Sequence, residues 1–155
     1  MEDTISAICT PLGEGAVGII RISGEKSLAV AQKLFKSKKT LSQNEPRHLT
    51  YGHCENAKGE MLDEVLAVYM PKPHSYTGED VVEIQCHGGV EALKAILSAT
   101  YEAGAIPAEP GEFTKRAFLN GRLDLAEAEA VMDIIQARSA KALGAALRQQ
   151  KGQLS

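Results

Sequence analysis

Two six-residue runs constrain this chain more than anything else in it: GIIRIS at 18–23 and VVEIQC at 81–86. Val and Ile dominate both, and β-branched side chains fit the pleated surface of a sheet better than the crowded surface of a helix. Each run reads as a strand, and each is interrupted by a single charge, Arg21 in the first and Glu83 in the second. Successive side chains on a strand point to opposite faces. Arg21 therefore sits between the apolar Ile20 and Ile22, and Glu83 shares a face with Val81 and Gln85.

An arginine in so apolar a strand either snorkels to water or pairs with an anion. For Glu83 two readings stand side by side. One is an edge strand with one face in water. The other is a partly buried acceptor, and a carboxylate accepts two parallel hydrogen bonds from the N–H and amino groups of a 2-amino-4-oxo pyrimidine ring such as a pterin.

Around these runs the pattern alternates strand and helix, which predicts a mixed α/β fold with an α+β mixed sheet. A strand is expected over 4–9 and a helix over 25–35, where Leu28, Ala29, Ala31 and Leu34 recur at helical spacing. Strands at 48–55 and 64–70 are joined through the polar turn 56–60, and Pro71 and Pro73 end that pair. The His87-Gly88-Gly89 turn leads into a helix over 90–103 with Gly104 as its stop, and 105–108 adds a short strand. A break at 109–114 opens a helix that ends near Gly121. Asp124 with Glu127 forms a capping box that starts a long Ala-rich helix from Leu125 toward Ser155. Its stripe of Leu125, Ala128, Val131, Met132 and Ile135 must pack either back on the first 120 residues or against helices outside this chain. The organisation expected is one domain over 1–120 and the start of a helical domain over 121–155, so the chain reads as a fragment.

Composition narrows the class. The formal charge is −3, and aromatics are 5% with no Trp, which argues against this segment being the main grip on a nucleic acid. Lys36, Lys38 and Lys39 form a short basic run that reads as a solvated loop. Three widely spaced cysteines, Cys9, Cys54 and Cys86, point to reduced thiols rather than a disulfide framework. The N-terminus carries no signal-peptide pattern, and no apolar stretch approaches the ~20 residues that span a bilayer. A cytoplasmic location without membrane contact is the expectation.

Gly13-x-Gly15-x-x-Gly18 matches the dinucleotide fingerprint by letters, but that motif works only where its third glycine lies at a helix N-terminus. Gly18 opens a β-branched run instead, so a nicotinamide or flavin site is rejected. A flexible inter-strand connection remains, able to approach a ligand or a partner subunit, or serving as a plain loop. His53-Cys54 and Cys86-His87 lack the spacing of a zinc site and any third residue to orient a nucleophile, so no metal site and no catalytic residue is expected. Between 113 and 124, Asn120-Gly121 makes a tight break and Arg122 precedes the Asp124 cap. Arg122 either pairs with Asp124 or Glu127 at a helix corner or belongs to a site for an anion.

Three segments, TPLGEGAVGIIRISG (10–24), YTGEDVVEIQCHGG (76–89) and EPGEFTKRAFLNGRLDLAEAEAVMDII (109–135), resemble the N-terminal part of the MnmE (TrmE) family of tRNA-modifying GTPases. The resemblance implies a fold related to the tetrahydrofolate-binding domains of one-carbon enzymes, followed by the first helix of an all-α domain. It implies a homodimer with a 5-formyl-tetrahydrofolate-type ligand near the interface, held by Arg21, Glu83 and Arg122. The family often carries Lys at the last of these, and Arg changes the hydrogen-bond geometry. Glu83 would hold the pterin edge, while the two arginines meet carboxylate or carbonyl oxygens. Gly13, Gly15, Gly88 and Gly89 would let backbone come close to the ligand or the other subunit. A further family contact comes from the extreme C-terminus of the full protein.

The resemblance also implies GTP hydrolysis with Mg2+ and K+, a flavin-bearing partner of the MnmG type, and modification of C5 of the wobble uridine in tRNA. No G-x-x-x-x-G-K-[ST] spacing occurs here, so GTP hydrolysis is not expected of these residues themselves. Two alternatives remain open. One is a stand-alone folate-dependent one-carbon transferase, for which Cys86 and His87 are the only candidate groups. The other is a domain that dimerises without binding folate.

Overall fold

The computed structural model describes residues 3–10 and 17–154. The two β-branched runs lie side by side as antiparallel neighbours at the middle of a seven-stranded mixed sheet. Its strands are β1 (Ile5–Ile8), β2 (Gly18–Ser23), β3 (Phe35–Lys36), β4 (Thr50–Glu55), β5 (Met61–Met70), β6 (Val81–Cys86) and β7 (Ile106–Pro107), in spatial order β3-β4-β5-β6-β2-β1-β7. Among the described residues only β7 pairs in parallel, alongside β1.

Two helices, α1 (Ser27–Leu34) and α2 (Val90–Glu102), cover one face of the sheet. Ile20, Ile22, Val65, Ala67, Val82 and Ile84 point to that face and are almost wholly buried, together with Leu93 and Ile96 of α2. Cys54 and Cys86 belong to the same core. Their burial fits a small apolar role for the thiols.

The other face is treated unevenly, and that asymmetry positions the site. At one end Ser23 and Val81 are sealed by the segment 75–80, with Ser23 Oγ 2.8 Å from both Thr77 Oγ1 and Glu79 Oε1. At the other end the cross-strand row Tyr51–Leu66–Gln85–Ile19 stays partly or largely exposed, Tyr51 at 64%. Two more helices, α3 (Glu112–Leu119) and α4 (Leu125–Leu154), follow β7 and pack on each other.

Most expected elements are present with ends shifted by a few residues. Strand β5 begins at Met61, earlier than the polar turn suggested, and β3 was not expected at all. Its two residues pair with Cys54 and His53 of β4, so Lys36 belongs to an edge strand rather than to a solvated loop. Lysines on an exposed edge discourage pairing with another chain. The capping box forms as expected: Asp124 N donates to Glu127 Oε1 at 3.1 Å and Glu127 N to Asp124 Oδ1 at 2.7 Å. The apolar stripe of α4 packs back in part, with Ala128 buried and Leu125 exposed at 58%.

Candidate functional site

Arg21 and Glu83 occupy directly paired positions of β2 and β6, so their side chains emerge next to each other on the face away from α1 and α2. Arg21 Nε donates to Glu83 Oε2 at 2.8 Å, and the two side chains are 20% and 21% exposed. Glu83 is thus neither on an edge strand nor buried alone. Among the described residues its second carboxylate oxygen accepts no protein hydrogen bond, and the terminal nitrogens of Arg21 have no protein acceptor.

Two aromatic rings hold the guanidinium from the side. Its carbon lies 4.9 Å from the Tyr76 ring centroid and 5.2 Å from that of Phe113, within range for cation–π attraction. Tyr76 is fixed in turn, its hydroxyl 2.8 Å from Thr114 Oγ1 on α3. Stacking leaves the edge of the guanidinium plane available to a carboxylate or carbonyl oxygen.

Arg122 lies apart from this pair. Its Nε donates to the carbonyl oxygen of Ser75 at 2.9 Å, and Asn120 Nδ2 donates to that of Thr77 at 2.9 Å. These bonds clamp the segment on both sides of Tyr76. The space for them depends on Gly78, where φ is +80° and a Cβ would come within 2.9 Å of Asn120 and 3.2 Å of Arg122. Arg122 makes no pair with Asp124 or Glu127, which are engaged with each other.

The segment also joins an ionic network around a buried arginine. Arg116 is 3% exposed; its Nη1 lies 3.0 Å and 3.3 Å from the two oxygens of Glu79, and its Nη2 lies 3.3 Å from Glu112. Glu79 also accepts from Ser23 of β2, so the network ties α3 and the segment 75–80 to the sheet.

A cleft of about 380 Å3 opens beside Arg21. Cys9, Arg21, Tyr76 and Phe113 line it, together with the turn from Ala108 to Gly111 and with Val131 and Ile135 of α4. That volume falls within the roughly 300–1,000 Å3 typical of small-molecule sites. Glu83 is bonded to Arg21 beside the cleft, and neither Glu83 nor Arg122 is among its lining residues.

Sequence reasoning missed Tyr76, Phe113 and Cys9. Tyr76 and Phe113 stand inside the very segments that carry the family resemblance, but nothing in their spacing says that they meet over Arg21. The Cys9 thiol is pushed up in pKa by burial, against the pull of the neighbouring Arg21 guanidinium. Cys86 lies in the core on the opposite face with its pKa raised to about 12 by burial and by Asp63. His87 is on the turn before α2, where its backbone N–H and that of Gly88 donate to Asp63 Oδ2 at 2.8 Å each. Neither of these two candidate groups is at the cleft. Gly88 and Gly89 are likewise on that turn, and Gly13 and Gly15 lie outside the described residues.

Among the described residues no helix is long and apolar enough to cross a membrane, and all three cysteines are free thiols.

Comparison with known proteins agrees with the segments that carry Arg21, Glu83 and Arg122. Residues 4–122 match the family described as GTP-binding protein TrmE N-terminus. The tRNA modification GTPase MnmE of Alkaliphilus oremlandii is 55% identical over 158 residues, covering 100% of this chain and 34% of the relative. Its namesake from Streptococcus sanguinis is 54% identical over 154 residues, 99% of this chain and 34% of the relative. That of Listeria welshimeri is 51% identical over 153 residues, 99% and 33%. The chain thus spans about a third of the length of the curated relatives it matches. With a family match over most of its residues and relatives more than half identical from end to end, the chain belongs to the MnmE (TrmE) family and corresponds to that family's N-terminal region.

Proposed function

We propose that this chain is the reduced-folate-binding and homodimerisation module of a tRNA modification GTPase. Residues 1–120 form the folate-binding, dimerising domain, and 121–155 begin a helical domain. The observation that carries the reading is the Arg21–Glu83 pair: two opposite charges at paired sheet positions, each with unused hydrogen-bonding capacity, beside a cleft walled by two aromatic rings.

Each part of a folate finds matching chemistry there. The terminal nitrogens of Arg21 suit a carbonyl or carboxylate oxygen, and the spare oxygen of Glu83 suits the amino edge of a pterin. Tyr76 and Phe113 offer apolar faces to a flat ring. Arg122, outside the cleft, holds the segment that carries Tyr76 and would meet the ligand's anionic part only where that part leaves the cleft.

The row Tyr51–Leu66–Gln85–Ile19, partly to largely exposed, supports the dimerisation reading. It lies on the same face as Arg21 and Glu83, so a second copy seated on it brings the ligand close to the interface. In the whole protein this module serves a GTP hydrolase that uses Mg2+ and K+. With a flavin-bearing partner of the MnmG type it modifies C5 of the wobble uridine in tRNA, in the cytoplasm.

Titration calorimetry with 5-formyl-tetrahydrofolate, alongside light scattering for mass, tests this directly. A saturable signal from a dimer is the expected result. A dimer that takes up no ligand overturns the folate reading, and a monomer at all concentrations overturns the dimerisation reading.

A further inference from the structure

The cleft at Arg21 is not made by the sheet and α3 alone. Val131 and Ile135, one turn apart on α4, line it together with Tyr76 and Phe113. They are only partly buried, so apolar surface remains on α4 for whatever enters the cleft.

The neighbouring stripe of α4 explains how the helix is held there. Ala128 is 8% exposed, and with Met132 it lines a crevice beside Phe118 of α3. The turn that starts α3 admits this approach because Gly111 stands at φ +76°, and a Cβ there would come within 2.4 Å of the Met132 Sδ and Cε. One stripe of α4 thus seats the helix on α3 and its entry turn, while the adjacent stripe faces the cleft.

Resting on the folate reading above, we infer that α4 is a wall of the ligand site, and that ligand occupancy and α4 docking are coupled. The flat ring lies against Arg21, Tyr76 and Phe113 and buries Val131 and Ile135 as it enters. Coupling of this kind is reciprocal: whatever tightens α4 against α3 raises ligand affinity by the same factor that the ligand tightens α4. Occupancy is then passed to whatever continues from α4 as a change in how firmly that helix is held.

The test uses 5-formyl-tetrahydrofolate as the probe. In the unmodified chain, saturation slows amide hydrogen exchange across 128–136. The double variant Val131→Ala, Ile135→Ala removes five carbons that are already partly shielded in the free chain, and it binds about tenfold more weakly, the worth of roughly two fully buried methylenes. Ile134→Ala, at a position 53% exposed and outside the cleft, binds as the unmodified chain does. Alanine favours helix at all three positions, so the variants keep α4. Alkylation of Cys9, which lines the same cleft, supplies an independent record of occupancy, because Cys54 and Cys86 are buried. If the ligand binds and protects Cys9 while both the double variant's affinity and the α4 exchange stay unchanged, α4 is not a wall and the inference falls alone. If no ligand binds the unmodified chain, the folate reading falls and takes this inference with it.

Discussion

Arg21 and Glu83 meet across β2 and β6 at paired positions, Nε to Oε2 at 2.8 Å, on a face whose neighbouring positions are largely apolar. Such a pair is a poor stabiliser. Ion pairs that keep contact with water contribute about 0–1 kcal/mol, and apolar side chains would pack the same row at no desolvation cost. The chain forgoes that packing to keep two charges with unused hydrogen-bonding capacity beside a cleft.

Glu83→Gln therefore separates binding from stability. The amide still accepts from Arg21, so the urea midpoint should move by less than the equivalent of about 1 kcal/mol. Affinity for 5-formyl-tetrahydrofolate should fall by about 1.5–3 kcal/mol, the range for a lost charged hydrogen-bond partner. Calorimetry and urea unfolding on the same two proteins check both halves. An affinity unchanged in Glu83→Gln would remove Glu83 from the ligand site.

The ionic network that the segment 75–80 joins behaves in the opposite way. Arg116 is 3% exposed and faces both Glu79 and Glu112. Glu79→Gln takes one carboxylate away from the buried Arg116 guanidinium, and breaking a buried pair costs about 3–5 kcal/mol. Glu112 remains, so the loss should sit near the lower end, about 3 kcal/mol by urea unfolding. Because the segment carries Tyr76, amide exchange at 75–80 should accelerate as well.

How much of this was legible beforehand depends on the range of the interaction. Strands β2 and β6, helix α2 and the capping box at Asp124 come from local patterns, and they appear where those patterns put them. Arg21 and Glu83 stand out as charges in apolar runs, but their pairing needs β2 beside β6, and no local rule gives strand order. Tyr76 and Phe113 meet over Arg21 from three separate stretches of chain. Lys36 entered a strand for a similar reason: β3 is two residues long and exists only because β4 offers it a partner. Arg122 pairs with Ser75, 47 positions away, while the acidic residues close to it in sequence cap α4.

The open end of the sheet gives a test of assembly that avoids the cleft. Leu66 lies between Tyr51 and Gln85 on the exposed row, and its neighbours Val65 and Ala67 point into the core. Leu66→Lys puts a charge where a second copy would sit, and leaves the core side of β5 unaltered. Dimer dissociation should strengthen at least about tenfold, as expected when a charge is buried without a partner at an interface. Sedimentation velocity over a concentration series reads this. An unchanged dimer would place the interface elsewhere on the chain.

Alkaline pH should unfold this protein through its buried thiols. Burial raises the pKa of Cys54 and Cys86, the latter to about 12; Cys86 and then the Asp63 carboxylate add to the Cys54 shift, and Asp63 adds to that of Cys86. In the unfolded chain a thiol ionises near its ordinary value of about 8.5. Between those values the unfolded state has released a proton that the folded state still holds, so stability falls as pH rises. The contribution is complete below about pH 8.5 and declines by about 1.4 kcal/mol per pH unit for each thiol until the folded form titrates. Urea midpoints measured from pH 7 to pH 11 should drop accordingly. Cys86→Ala starts from a lower stability because it loses the sulfur's packing, but its curve should be shallower above about pH 8.5. Equal slopes for the two proteins would mean that Cys86 does not carry the alkaline loss.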